Sequence, residues 1–251
     1  LYRTELHTSD FKMKVFEQLK QAIASQPVQA EQVNEHIMFH TFALKMTAYF
    51  SQVFSFSGIH EQRFDDIAYI RQRIMEQLEK SVLKISYRTL VLDMNIQREQ
   101  GKLVGSTPEQ QYEYYHHHCL QDQDYVETFF EKYPVLLRAL GGEVRKYRKF
   151  LYELFSRFER DYEQIVRMLA ASEPVQIRDI EMGMGDSHSD GRKVTRLVLN
   201  CGQLIYKPRS LSIDKLYETI IRFTNEMSGD PDLQLQAPAV LTRKHYGWAE
   251  Y

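Results

Sequence analysis

The chain has 251 residues, 43% of them hydrophobic and 26% charged, with a formal net charge of -2 at pH 7. That composition suits a globular protein with a core of its own. It gives no electrostatic case for nucleic-acid binding, because Lys and Arg are interleaved with Asp and Glu instead of forming a basic stripe. Two cysteines, Cys119 and Cys201, exclude a disulfide framework and a cysteine-rich zinc site, and suit a reducing cytoplasmic setting. No apolar run approaches the length of a membrane span and no signal peptide opens the chain. Because the sequence begins at Leu1 and stops at Tyr251, it is expected to be a fragment.

In chain order, residues 1–171 carry helical periodicity. Phe64, Ile67, Ile70, Ile74, Leu78, Val82 and Ile85 recur three or four apart and predict one amphipathic helix. Thr107-Pro108-Glu109-Gln110 predicts a helix start, with Thr107 accepting from the N3 amide, Gln110 reaching back and Pro108 placed where no amide is needed. Gly141-Gly142 predicts a break before a long final helix marked by Val144, Tyr147, Leu151, Leu154, Phe158, Ile165 and Leu169.

The pattern changes after Ser172-Glu173-Pro174. Strands are predicted at Val175 to Ile180, Val194 to Leu199 and Leu204 to Lys207, with a turn at Asn200-Cys201-Gly202-Gln203. Ile213, Leu216, Ile220, Phe223 and Met227 predict an amphipathic helix ended by Gly229-Asp230-Pro231, and a short strand is expected within Ala239 to Thr242. Tyr246-Gly247-Trp248 reads as packing at a turn. The fold class is therefore α+β: a large helical domain over 1–171, then a segment over 172–251 with a small antiparallel sheet and one helix. A glycine-bearing hairpin, a strand ending in lysine and a helix follow the order of a kinase N-lobe.

The densest candidate site is the loop Gly183-Met184-Gly185-Asp186-Ser187-His188-Ser189-Asp190-Gly191-Arg192. Its glycines permit backbone amides to approach a phosphate. Asp186 and His188, two apart, would share a side in extended chain and could act as an acid/base pair, while Arg192 could offer a fork of donors to phosphate. A plain hairpin turn is the commoner reading of such a loop. Lys207 shares the strand face of Ile205 and is held extended by Pro208, as a phosphate-binding lysine would be; a surface lysine is the commoner reading. Its expected acidic partner lies on the next helix, with Glu218 placed slightly ahead of Asp214. His36 and His40, one helical turn apart, lack the glutamate of a zinc-protease motif and read as a solvated or core-edge pair. His116-His117-His118 reads as a polar helix end whose rings diverge around the axis. No metal ligand is assigned.

Together these strings resemble the class II lanthipeptide synthetases (the LanM type). The resemblance rests on Gly185-Asp186-Ser187-His188 with Gly191-Arg192-Lys193-Val194, then Leu204-Ile205-Tyr206-Lys207-Pro208-Arg209-Ser210-Leu211 with Asp214. In the same order stand Leu90 to Thr107, with Arg98 and Gly101-Lys102-Leu103-Val104-Gly105, then Tyr133 to Arg138 and Tyr246-Gly247-Trp248-Ala249-Glu250. It implies the N-terminal part of a dehydratase on a lipid-kinase-like core, using ATP and Mg2+ to phosphorylate Ser and Thr of a ribosomal precursor peptide. Phosphate is then eliminated to leave dehydroamino acids, before thioether formation in lantibiotic biosynthesis. The resemblance gives Lys207 to ATP binding, with Gly185, Arg192 and Glu218 around it, and gives Asp186 and His188 to elimination. The Mg2+ ligands, the catalytic loop and the Zn2+-bearing cyclase are expected elsewhere in the synthetase, so this segment alone is expected to be inactive. Its partners would be the precursor peptide and the rest of the synthetase. Two other readings stand beside it: a non-catalytic helical interaction module, and a kinase-like enzyme acting on a lipid or small molecule.

Overall fold

The computed structural model describes residues 16–172, 174–183, 191–229 and 234–251. After a helical run over 16–24 come α1 (His40–Val53), α2 (Ile67–Glu99), α3 (Pro108–Tyr114), α4 (Gln123–Lys132), α5 (Pro134–Met168) and α6 (Ser212–Ser228). The strands are β1 (Ile177–Met182), β2 (Thr195–Leu199), β3 (Gly202–Lys207), β4 (Val240–Thr242) and β5 (Gly247–Glu250). The class is α+β, as expected. The change of pattern at Ala171 separates the kinds of secondary structure, whereas the compact units divide differently. One comprises Leu1–Ser55 and Met75–Arg145; the other comprises Phe56–Ile74 and Lys146–Tyr251.

The first unit is helical. Phe42 meets Phe129 and Phe130 at ring separations of 5.8 and 5.9 Å, and Phe39 packs edge-on against Tyr112 at 5.7 Å. Lys45 is buried here because its ammonium donates to the carbonyls of Ala24 (2.9 Å) and Gln26 (2.8 Å), closing the end of the 16–24 helix. Thr107 caps α3 by accepting from the Gln110 amide at 3.3 Å. Gln110 reaches back as predicted, but to the amide of Ser106 at 2.8 Å. The predicted break at Gly141-Gly142 does not occur, and both residues lie inside α5. At Gly141 a Cβ would stand 2.6 Å from the Leu19 Cδ2, so the end of the Leu19 side chain would have to shift.

The second unit is built on one antiparallel sheet in the order β1-β2-β3-β5-β4. The β2–β3 turn is tighter than predicted, since Leu199 pairs Gly202 and only Asn200 and Cys201 lie between. Asn200 also accepts from the Gln176 amide (2.9 Å) and donates to the Pro174 carbonyl (2.9 Å), tying the hairpin to the entry of β1. Tyr246-Gly247-Trp248, read as a turn, instead leads into β5, a strand inserted between β3 and β4.

Alternation sends Leu197, Leu204, Tyr206 and Trp248 to one face. That face packs on α5: Phe158 meets Trp248 at 5.9 Å and Phe150 meets Tyr206 at 6.2 Å. Trp248 is fully buried, with its indole N–H donating to the buried Asp161 at 2.9 Å. Asp161 also accepts two bonds from the Arg243 guanidinium, at 3.0 and 2.7 Å. On the opposite face Leu211, Val240 and Ala249 form a small buried cluster beside the start of α6. The predicted apolar stripe of α6, Ile213, Leu216, Ile220, Phe223 and Met227, is exposed throughout.

Candidate functional site

Register fixes where the candidate residues can stand. Met182 pairs Thr195, Thr195 pairs Tyr206, and Tyr206 pairs Trp248. The stems of the 183–194 connection therefore lie at the same end of the sheet as Lys207, the last residue of β3. Gly183 and Gly191, at the described edges of that connection, have φ of 86° and 80°, a conformation open to glycine and strained for other residues. Gly185, Asp186 and His188 lie outside the described residues.

Lys207 occupies the face of Ile205 and Ala249, as its spacing predicted. Its ammonium donates to Asp214 Oδ1 at 3.1 Å, and Arg209 donates to Asp214 Oδ2 at 3.1 Å. The Lys207 and Asp214 side chains are 28% and 25% exposed, so the pair is half-buried and open on one side. Burial pushes the Asp214 carboxyl up, but hydrogen bonds from Lys207 and Arg209 outweigh it and hold the group below its ordinary range. Asp214 also sits in the first turn of α6, where the helix end favours negative charge. Glu218, the slightly preferred acid, is one turn further on and is held by Lys215 at 2.8 Å. The acid the structure brings to Lys207 is Asp214.

Arg192 does present a fork, and the fork is closed on a carboxylate. Its Nε and Nη2 donate to the two oxygens of Glu153 on α5 at 2.9 and 3.2 Å. Arg157 approaches the same Glu153 at 3.4 Å and donates to the Tyr206 hydroxyl. Burial raises the Glu153 carboxyl, and the Arg192 bond and the neighbouring cations more than offset it, leaving it below the usual range. Lys207 and Arg192 thus have different acidic partners, on α6 and α5.

Sequence reasoning missed Gly247, which pairs Lys207 across the sheet. A Cβ there would lie 2.7 Å from the Leu211 side chain and 2.9 Å from the Leu241 carbonyl oxygen. Only a glycine lets β5, β4 and the start of α6 close together behind the lysine. The signal was the glycine beside the chain's only tryptophan, but nothing in the sequence tells a strand from a turn over four residues.

The arrangement is a cation at a sheet end, neutralised by an acid on the following helix, at the same end of the sheet as the stems of the β1–β2 connection. That defines the class of a small antiparallel sheet with a helix-held lysine. Residues 133–251 match a family described as a domain of unknown function, DUF4135. Over 208 residues, 80% of this chain, the sequence is 26% identical to the lacticin 481/lactococcin biosynthesis protein LcnDR2 of Lactococcus lactis subsp. lactis. The matched stretch spans 22% of that relative. The similarity to that lacticin 481/lactococcin biosynthesis protein thus runs over most of this chain, in keeping with the resemblance read from its motifs.

Proposed function

We propose that this chain is the N-terminal part of a lanthipeptide synthetase dehydratase. In the intact enzyme it would help phosphorylate Ser and Thr of a ribosomal precursor peptide and then eliminate the phosphate. The observation carrying this reading is the Lys207–Asp214 pair at the end of β3. Protein kinases hold their phosphate-binding lysine through an acid on the next helix, and the lysine serves as a point charge for nucleotide phosphates. The fit to ATP is supported by the half-buried, partly open position of the Lys207 ammonium. ATP supplies the phosphoryl group when bound. Lys207 would hold its phosphates, and Asp214 would keep the ammonium aimed from β3.

Elimination requires removal of the Cα proton, formation of the Cα–Cβ double bond and cleavage of the Cβ–O bond, with phosphate departing. Asp186 and His188 are the groups proposed for proton transfer in this step, since a carboxylate beside an imidazole can orient it and raise its basicity. Arg192 would have to exchange Glu153 for phosphate to assist the leaving group, so its contribution is the smaller one. No Mg2+ ligand is proposed on this chain.

The test is mass spectrometry of a precursor peptide incubated with intact synthetase, ATP and Mg2+. Lys207→Ala should abolish phosphorylation and dehydration together. His188→Ala should let phosphopeptide accumulate. Wild-type levels of dehydrated peptide from Lys207→Ala would overturn the reading and favour a non-catalytic helical module.

A further inference from the structure

The histidine run, read from sequence as a polar helix end with diverging rings, is a π-helix over Tyr115–Cys119. The Leu120 amide bonds to the Tyr115 carbonyl at 3.0 Å, five residues back. This wider turn brings neighbouring side chains together: the His116 and His117 rings stand 4.7 Å apart and edge-on. Local π-turns inside helical segments are frequent at functional sites. Glu35 faces them from the connection before α1, and its Oε2 is 3.3 Å from His117 Nε2.

We propose that Glu35, His116 and His117 bind a divalent transition-metal ion of the zinc type. One ligand atom from each of the three lies within 4.8 Å of the others. Donors about 2.0–2.2 Å from a tetrahedral zinc ion stand roughly 3.3 Å from one another. The Glu35–His117 edge, at 3.3 Å, already has that length, and the edges to His116 need to close by at most about 1.5 Å. Glu35 and His117 can close them onto the anchored His116, because their side chains are 62% and 34% exposed, and the turn that carries Glu35 is held by its own backbone bonds. The Asn34 carbonyl and side chain accept from the Ile37 and His36 amides, each at 3.0 Å.

His116 is the anchored member. It is 1% exposed, and its ring stacks on Tyr112 at 5.5 Å. Its Nε2 lies 3.1 Å from Thr41 Oγ1 and its Nδ1 lies 3.4 Å from the Tyr112 hydroxyl. Whichever nitrogen takes the metal, the other keeps an oxygen to receive its N–H, which fixes both tautomer and ring direction. Two imidazoles and one carboxylate with a position left for water suit zinc, and cobalt and nickel by the same donor preference. Hard magnesium, which prefers oxygen and keeps its waters, does not fit. His40, the other buried histidine nearby, is not in the set: its Nδ1 accepts from Asn34 and its Nε2 faces Glu79 at 3.3 Å. The bound ion would pin the 34–37 turn to the π-helix.

The test uses metal-stripped protein without a histidine tag, titrated with Co2+ and followed by its visible absorption. One saturable equivalent with tetrahedral intensity, displaced by Zn2+, is expected. Glu35→Gln and His117→Ala should each weaken binding at least about tenfold, while His118→Ala, whose exposed ring leans on Tyr114, should bind like wild type. The two ligand variants alter exposed or half-exposed side chains, so circular dichroism should stay unchanged. Binding by Glu35→Gln and His117→Ala equal to wild type, or no saturable site at micromolar Co2+, would overturn the proposal.

Discussion

At the residue scale the most consequential group is Asp93, which the sequence did not single out. It is 1% exposed and accepts from four donors: the hydroxyls of Tyr115 (3.1 Å), Tyr125 (2.5 Å) and Tyr133 (3.0 Å), and the Lys132 ammonium (2.9 Å). A buried carboxylate persists only when its charge is met this fully. Asp93→Ala would strand those donors at the junction of α2, the π-helix and α4. The expected loss is about 3 kcal/mol, the low end for breaking a buried ion pair because Lys132 is partly exposed. Asp93→Asn should lose less, since the amide oxygen still accepts. Urea denaturation of both variants measures this, and an unchanged midpoint for Asp93→Ala would show that the donors find water instead. Such a node is invisible in sequence because its members are spread from 93 to 133 and each is an ordinary residue alone. The Lys207 site was more legible. Strand parity gave its face, while the acid beside it is Asp214 rather than the slightly preferred Glu218, and Arg192, expected near it, is paired with Glu153. Because α6 begins at Ser212, Asp214 in its first turn is the one that reaches the strand end.

At the element scale, periodicity found the long helices and three strands, and failed where packing overrides local preference. Gly141-Gly142 looked like a stop because glycine weakens a helix by about 1 kcal/mol relative to alanine. Yet the helix runs through, and the two glycines stand in different surroundings. Gly141 faces Leu19 at contact distance, whereas a Cβ at Gly142 would meet nothing within 4 Å. Gly142→Ala should therefore stabilise the protein by roughly 0.5–1 kcal/mol through propensity and unfolded-state entropy. Gly141→Ala should gain less, because the end of the Leu19 side chain must shift. Chemical denaturation of the pair checks this, and equal effects would remove the packing explanation. The α6 stripe shows the opposite failure: its spacing was read correctly as helix, but period alone does not say which face is covered. Ile221, off that stripe, is its one buried apolar side chain. β5 was missed because it has only four residues, and its pairing is decided by β3 and β4 rather than by its own pattern.

At the scale of the whole molecule, composition and the helix-to-strand switch gave the α+β class, but not the compact units. Residues 56–74 join the sheet's unit through contacts such as the Asp65 amide to the Ile177 carbonyl at 3.1 Å, more than a hundred positions apart. What both units share is reliance on partnered acids. Asp93 in one, and Glu153, Glu159 and Asp214 in the other, are pushed up by burial but held below their ordinary range by their hydrogen-bonding partners. Those partners are Tyr125, Lys132 and Tyr133 for Asp93, Arg192 for Glu153, Arg63 and the His60 amide for Glu159, and Lys207 and Arg209 for Asp214. A carboxyl with a depressed folded-state pKa binds protons more readily when unfolded. Its contribution is present in full above the unfolded value near 4, and is lost as pH falls through the folded value. Each such group can add up to about 1.4 kcal/mol per pH unit inside that window. The urea midpoint should therefore stay level in these groups' contribution down to about pH 5 and fall steeply below about pH 4. Glu159→Gln, which keeps an acceptor for the His60 amide while losing the charge that holds Arg63, should start lower at pH 7 and fall less steeply in acid. A midpoint that stays constant from pH 5 to pH 3, or a Glu159→Gln acid limb as steep as wild type, would show that these acids titrate alike in the folded and unfolded chain.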